Sequence, residues 1–306
     1  MKNNKDSDEI LDILSKQPDK NTEDSKSYWK NYWENYKPLG YTRVIGIGDF
    51  GEKYGKDAVE KILDILNKQT VKHDEFEKTI PEYSFVDDSL TDDDVKALLK
   101  DKDITIIVAD SSSCIETTTR IANISKSAGL LTIAVVTDES DEGTNALLSV
   151  SDSVVLLPHN ENDDIIKAKV QGAISIIVNV FCYDCFIAMD FEDVKKSFSD
   201  AGKAYLAIGT GNTVEEITEN LLSTLPQNIC CGFDELFFEL AFTDRDYANV
   251  VFLFDDLFNN IADKLGDKLQ PNCNVMVSAH IEPTATKTYV NMILKHDPYK
   301  RTSIIV

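Results

Sequence analysis

Residues 103–137 read DITIIVADSSSCIETTTRIANISKSAGLLTIAVVT. Two apolar, β-branched runs, ITIIVA and LTIAVVT, flank a stretch whose apolar residues recur at helical spacing. Continuous apolar strands joined by a helix predict a parallel sheet covered on both faces. The turn from strand end to helix start is where such folds usually hold a phosphate, through glycines that let amides approach and a helix dipole that favours an anion. Residues 110–116 contain no glycine. They offer Ser111, Ser112 and Ser113 between two acids, Asp110 and Glu116. The scaffold of a phosphate turn is present with its contents replaced.

The pattern extends in both directions. Upstream, YTRVIGIGDFGEKYGKDAVEKILDIL (41–66) predicts a strand, a glycine-containing turn at Gly46, Gly48 and Gly51, and a helix turning Ala58, Ile62, Leu63, Ile65 and Leu66 to a core. In DDSLTDDDVKALL (87–99), Thr91 and Asp94 have the spacing of a helix N-cap signature. Downstream come a strand, SVVLLP (153–158), and from Asp163 a long helix that is apolar on most sides and so expected between two halves of the molecule. An acidic loop, a short helix and a strand ending in Gly209 and Gly211 follow, then a helix over 213–225. The remainder predicts strands ELFFELAF (235–242) and ANVVFLF (248–254), a helix DLFNNIADKL (256–265), and strands CNVMVSAHI (273–281) and TYVNMILK (288–295). The fold class is α/β, with a smaller C-terminal α+β domain built on a mixed or antiparallel sheet. The expected divisions are a polar arm over 1–40, a parallel-sheet domain over 41–162, the long helix over 163–187, and the acidic loop with the C-terminal domain over 188–306.

The 306 residues, 42% hydrophobic, suffice for one large or two medium domains. A net charge of −22 and the lack of a basic stripe argue against nucleic acid and against anionic lipid. Ser127 to Ile166 holds no Lys or Arg but eight acids: Asp138, Glu139, Asp141, Glu142, Asp152, Glu161, Asp163 and Asp164. No N-terminal signal pattern and no bilayer-length apolar run are read, and six irregularly spaced cysteines fit a reduced compartment, so a cytoplasmic location without membrane insertion is expected. In the arm, Trp29, Trp33 and Tyr36 share one helical face, which either packs back on the body or binds a partner.

From about Arg43 to His296 the order of parts resembles FtsZ, the prokaryotic tubulin homologue. The residues that carry the resemblance are VIGIG (44–48), GLLTIAVVT (129–137), VQG (170–172) and MDFEDVKKSFSDAGKAYLAIGTG (189–211). It implies a nucleotide-binding domain, a central helix, a smaller C-terminal domain and filaments built head to tail. It also implies that GTP or GDP, with Mg²⁺, is held by one subunit's glycine loops while the next subunit inserts an acidic loop.

The two halves of such a site differ here. The family's GGGTGTG falls on Asp110, Ser111, Ser112, Ser113, Cys114, Ile115 and Glu116, so side chains stand where close backbone approach needs none. Gly46, Gly48 and Gly51 remain from the first glycine loop, interrupted by Asp49, Phe50 and Glu52, and the region between the two loops is shortened. Glu142, Gly143 and Thr144 replace the family's E-G-R. Asp163 falls on the guanine-recognising position, where an acid at a helix start also serves as a cap. The acidic loop keeps Asp190 and Asp193 at the family's two catalytic positions, with Ala188 in place of asparagine; both acids equally suit a cap and first turn. Between VQG and DFEDV the chain is four residues longer than the family pattern.

No other constellation competes. Cys182 and Cys185 make a lone C-x-x-C on an apolar helix, Cys230–Cys231 lies elsewhere, and no metal site is expected. His73, His159, His280 and His296 do not cluster, and no serine sits in a G-x-S-x-G elbow. The expectation is an FtsZ-like cytoskeletal, division-type protein with weak or lost GTP binding, a pseudo-GTPase. It would associate head to tail with itself or cap and regulate FtsZ filaments, and the aromatic arm would supply a further contact. The alternative is an active GTP-hydrolysing filament protein. The chain stops at KRTSIIV with no extended linker after its last strand, so the anchor-binding tail of a division scaffold is not expected.

Overall fold

The computed structural model describes residues 40–68, 80–138, 141–158, 161–182, 185–199, 202–226, 232–243, 247–282 and 285–296. The aromatic arm, His73, His159, Cys230 and Cys231 lie outside the described residues.

Five parallel strands begin the chain: β1 (Thr42–Ile47), β2 (Glu82–Val86), β3 (Ile104–Ala109), β4 (Leu131–Asp138) and β5 (Ser153–Pro158). They alternate with α1 (Lys56–Lys68), α2 (Asp92–Leu99), α3 (Ile115–Ser127) and α4 (Asp141–Val150). The strands are buried along nearly their whole length because both faces are covered. Ile104, Ile106 and Val108 face α1, while Ile107 and Ala109 face α2, α3 and α4. Each such buried side chain contributes about 1.5–3 kcal/mol. Register follows from this alternation, since Ile107 lies beside Ile45 and Ala134, and a slip of one residue would exchange the two cores. Thr91 caps α2 in a reciprocal box with Asp94, as its spacing predicts.

The central helix α5 (Asp163–Cys182) follows, then β6 (Cys185–Ile187), α6 (Phe191–Phe198), β7 (Gly202–Gly211), α7 (Val214–Ser223), β8 (Phe233–Phe242), α8 (Tyr247–Leu265), β9 (Leu269–Ile281) and β10 (Thr288–His296). All ten strands form one sheet in the order β2-β1-β3-β4-β5-β7-β10-β8-β9-β6. The C-terminal strands do form a mixed sheet, but a continuous one, joined to the first half by the parallel β5–β7 pair. Helices α7 and α8 cover its far face through Ile217, Leu221, Leu257, Ile261 and Leu265.

Three expectations need correction. ANVVFLF is not a strand but the first part of α8, a single 19-residue helix. An apolar run of that length reads alike as strand or buried helix, and the spacing Leu253–Leu257–Ile261 across its end is helical. Cys185 is on β6, not on the helix that ends at Cys182. Among the described residues there is also one helix long and apolar enough to cross a bilayer, α5, with 20 residues. Its apolarity has a core explanation, since Ile174, Ile176, Ile177 and Val178 are buried in the protein. The glycine of VQG has a packing role here: a Cβ on Gly172 would meet Asn291 Oδ1 at 2.8 Å, so its absence lets α5 lie close on β10.

Candidate functional site

The turn after β3 is built around its own carboxylate. Asp110 Oδ1 accepts the Ser112 amide at 3.1 Å and the Thr137 hydroxyl at 2.9 Å, and Oδ2 accepts the Ser113 hydroxyl at 2.9 Å. The Ser112 hydroxyl also donates to it, at 3.1 Å. Burial opposes ionisation of Asp110, but these donors together hold its carboxyl below the usual range. Ser111 is buried and ties β3 to β4, its amide donating to Thr137 Oγ1 at 3.2 Å and its hydroxyl to the Thr137 carbonyl. The amide and hydroxyls that would meet a bound anion are already donated inward.

The first glycine segment is helical rather than an open loop. Gly48–Phe50 makes one helical turn and Gly51–Gly55 a π-turn that runs into α1. Gly46 and Gly51 are there for backbone contact: a Cβ on Gly51 would stand 2.2 Å from the Val108 carbonyl, and one on Gly46 would stand 2.4 Å from the Gly51 carbonyl. Gly48 has φ +64°, which favours glycine, and the place of its missing Cβ is 2.5 Å from Cys114 Sγ. The glycine turn after β1 and the serine turn after β3 therefore close on each other through a thiol.

The π-turn also reaches the start of α5. Lys53 Nζ lies 2.5 Å from Asp163 Oδ1, and the Tyr54 hydroxyl donates to the same oxygen. These two hydrogen bonds lower the Asp163 carboxyl below its ordinary value. Asp163 is not the helix cap, because Asn162 Oδ1 takes that role, accepting the amides of Asp164 and Ile165 at 2.8 and 3.3 Å. Between α3 and α4 lies an open groove of about 890 Å³ lined by Ser112, Glu116, Thr119, Arg120, Glu142 and Gly143. The Arg120 guanidinium at its rim is held by Asp92 at 2.8 Å and by the Leu90 carbonyl at 3.1 Å.

Gly46, Gly48, Gly51, Ser111, Ser112, Ser113 and Asp163 thus gather outside the carboxyl ends of β1 and β3, the usual ligand crevice of an open α/β sheet. In this arrangement Asp110 takes the turn's donors, Cys114 covers Gly48, and Lys53 with Tyr54 takes one oxygen of Asp163. Asp190 and Asp193 are elsewhere. They lie beyond the other end of α5, and a 20-residue helix spans about 30 Å. Both are exposed and form a capping box on α6, Asp193 N–H donating to Asp190 Oδ1 at 2.8 Å. Among the described residues no group of three or more His, Cys, Asp or Glu could hold a metal ion. Sequence reasoning missed Lys53, Tyr54, Cys114, Thr137 and Arg120. Only Cys114 carried a local signal, as a side chain inside a glycine motif.

No family model matches the chain. Over 156 aligned residues, 42% of this chain and 40% of the relative, it is 27% identical to the cell division protein FtsZ of Buchnera aphidicola subsp. Baizongia pistaciae. Over 199 residues, 54% of this chain and 48% of the relative, it is 25% identical to FtsZ of Wigglesworthia glossinidia brevipalpis. The chain therefore spans less than half the length of these curated relatives. Among solved structures it is similar to the empty FtsZ dimer of M. jannaschii, with a TM-score of 0.68 at 17% identity over 91% of this chain and 93% of the other. A tryptophan-to-tyrosine mutant of M. jannaschii FtsZ gives 0.65 at 15% identity, over 90% and 96%. These likenesses and the sheet order agree: the chain has the tubulin/FtsZ fold, in a sequence far diverged from FtsZ.

Proposed function

We propose that the chain is an FtsZ-like cytoskeletal protein of the cell-division type, cytoplasmic, with weak or lost GTP binding, acting by association rather than by hydrolysis. The observation that carries this reading is the Asp110 carboxylate, which occupies the donors of the turn where FtsZ-type proteins hold phosphate. A second carboxylate, Glu116 in the first turn of α3, adds like-charge repulsion against a triphosphate. The opposite end of the molecule supports the directional part of the proposal. Asp190 and Asp193 are exposed, so this subunit offers an acidic loop to the nucleotide of a competent neighbour while holding no nucleotide for a neighbour of its own. Such a subunit caps or regulates FtsZ filaments, or associates head to tail with itself.

The second reading is an active GTPase with Mg²⁺ that works only within a homofilament, and the exposure of Asp190 and Asp193 is what favours it. Equilibrium binding of GTP with Mg²⁺ to the purified chain, carried to millimolar concentration, separates the two. No saturable binding, together with altered assembly or turnover of an added FtsZ, is the expected result. Micromolar binding overturns the first reading, and unchanged FtsZ assembly and turnover overturns the capping role.

A further inference from the structure

Polar side chains from four elements meet out of contact with solvent where α5 crosses the C-terminal half of the sheet. Glu239 on β8 is fully buried, and its two oxygens accept the side-chain amides of Asn179 on α5 at 2.5 Å and Asn291 on β10 at 2.7 Å. His280 on β9, also fully buried, places Nδ1 3.9 Å from Glu239 Oε1. Glu239 is thus bonded both to the central helix and to the strand that joins β7 to β8.

Among the described residues no cation faces Glu239. From β9 comes His280, and from just past its end Glu282, whose carboxylate accepts the hydroxyl of Tyr289 on β10 at 2.8 Å. From β6 comes Cys185, with Sγ 3.4 Å from Ser278 Oγ and 3.8 Å from the Asn179 carbonyl. On β10, Lys295 is paired with Glu235 at 2.6 Å; on α5, Lys169 is paired with Glu161 at 2.7 Å. Burial lowers the His280 pKa to about 3, so that ring is neutral at physiological pH. Two amide donors without a cation are poor compensation for a fully buried carboxylate. The Asn179 amide oxygen is buried and has no hydrogen-bond partner among the described residues.

We propose that Glu239 is a proton-linked latch: as a neutral acid it joins α5 to β10 through Asn179 and Asn291, and its ionisation loosens the seating of α5 on the C-terminal half of the sheet. Burial, reinforced by Glu282 and opposed by the two amides, raises its carboxyl from 4.5 to about 7. A carboxyl raised in the folded state binds its proton more tightly folded than unfolded. Its stabilisation is full below about pH 4.5, falls as pH rises, and is gone above about pH 7. The folding equilibrium constant drops over that window by up to about 300-fold, the ratio set by the two pKa values. Nothing in this latch depends on nucleotide.

The test compares the full chain with Glu239→Gln, which keeps the shape and cannot ionise. Urea unfolding followed by circular dichroism from pH 5 to 8.5 is expected to show a fall in wild-type stability that Glu239→Gln lacks. The difference between the two cancels the opposite pH dependence of acids with lowered pKa values such as Asp110 and Glu82. Hydrogen exchange of α5 amides, corrected for intrinsic rate, is expected to rise above pH 7 only in the wild type. Parallel profiles for the two proteins overturn the proposal. Should Glu239→Gln fail to fold, the infrared spectrum of the wild type at pH 6 decides: a protonated-carboxyl band supports the latch, and its absence overturns it.

Discussion

Replacing Asp110 with alanine tests whether the turn after β3 is closed by its own anion. The substitution removes the acceptor of the Ser112 amide and of the Ser112, Ser113 and Thr137 hydroxyls, returning four donors to the crevice. It also removes one negative charge from the path of a phosphate. At about 4 Å a like-charge pair costs about 1 kcal/mol in water and about 4 kcal/mol at an effective dielectric near 20. Asp110 lies at a partly buried turn between these limits, so the gain in affinity is expected between about fivefold and several hundredfold. Calorimetric titration of wild type and Asp110→Ala with GTP and with pyrophosphate, each with Mg²⁺, reads it directly. The gain should appear with both ligands and shrink at high salt, because the site is open enough to be screened. The exposed serine hydroxyls rehydrate, which limits the stability cost to about 1–2 kcal/mol, and circular dichroism checks that the variant is folded. An intact Asp110→Ala protein that binds neither ligand more tightly than wild type would refute the reasoning.

Two further outcomes test the packing. Lys169 is fully buried and donates to Glu161 at 2.7 Å and to the Thr224 carbonyl at 2.8 Å, so Lys169→Ala is expected to cost about 3–5 kcal/mol in urea unfolding. Lys169→Met combined with Glu161→Gln should restore most of that, since it removes the ion left behind. Gly51→Ala puts a methyl 2.2 Å from the Val108 carbonyl, backbone against backbone, and should prevent recovery of folded protein. Gly129→Ala, at φ +82° with open space around it, should lose only about 1–2 kcal/mol. Equal thermal melts for the two alanine variants would contradict the close approach of the Gly51 turn to β3.

What the sequence made legible was local. The Thr91–Asp94 box lies within four residues, and the apolar runs 104–109 and 131–137 name their own strands. The packing side of α1 follows from the spacing of Ala58, Ile62, Ile65 and Leu66, which are buried, with Leu63 half-buried beside them. What stayed hidden required knowledge of partners far along the chain. Lys53 and Tyr54 meet Asp163 more than a hundred residues later, and nothing near 163 distinguishes a clamped carboxylate from a capping one. The presence of Asn162 before it is the sign that separates them, since asparagine caps as well as aspartate and leaves Asp163 for another role. Asp110 was visible as a charge in the wrong place for phosphate. Its role as the internal acceptor needed Thr137 from the neighbouring strand. The helix α8 reads as a strand over 248–254 because a stretch apolar at all but Asn249 carries no face to give its period away.

The place of β10 has a consequence for how the protein is made. Last in chain order among the described strands, it lies inside the sheet, with Val290 and Leu294 beside Gly209 and Tyr205 of β7 on one side and beside Leu240 and Leu236 of β8 on the other. The parallel half closes unit by unit as it leaves the ribosome, each strand finding a neighbour already present. The second half cannot: β7 emerges with an open edge and waits for a strand that begins at Thr288, 77 positions after Gly211 (288 − 211 = 77). At about 5–20 residues per second that wait is about 4–15 seconds, during which β7 and then β8 each present an unpaired, apolar edge. A nascent chain of this protein is thus most exposed to chaperones, and to other copies of itself, just before its last strand arrives.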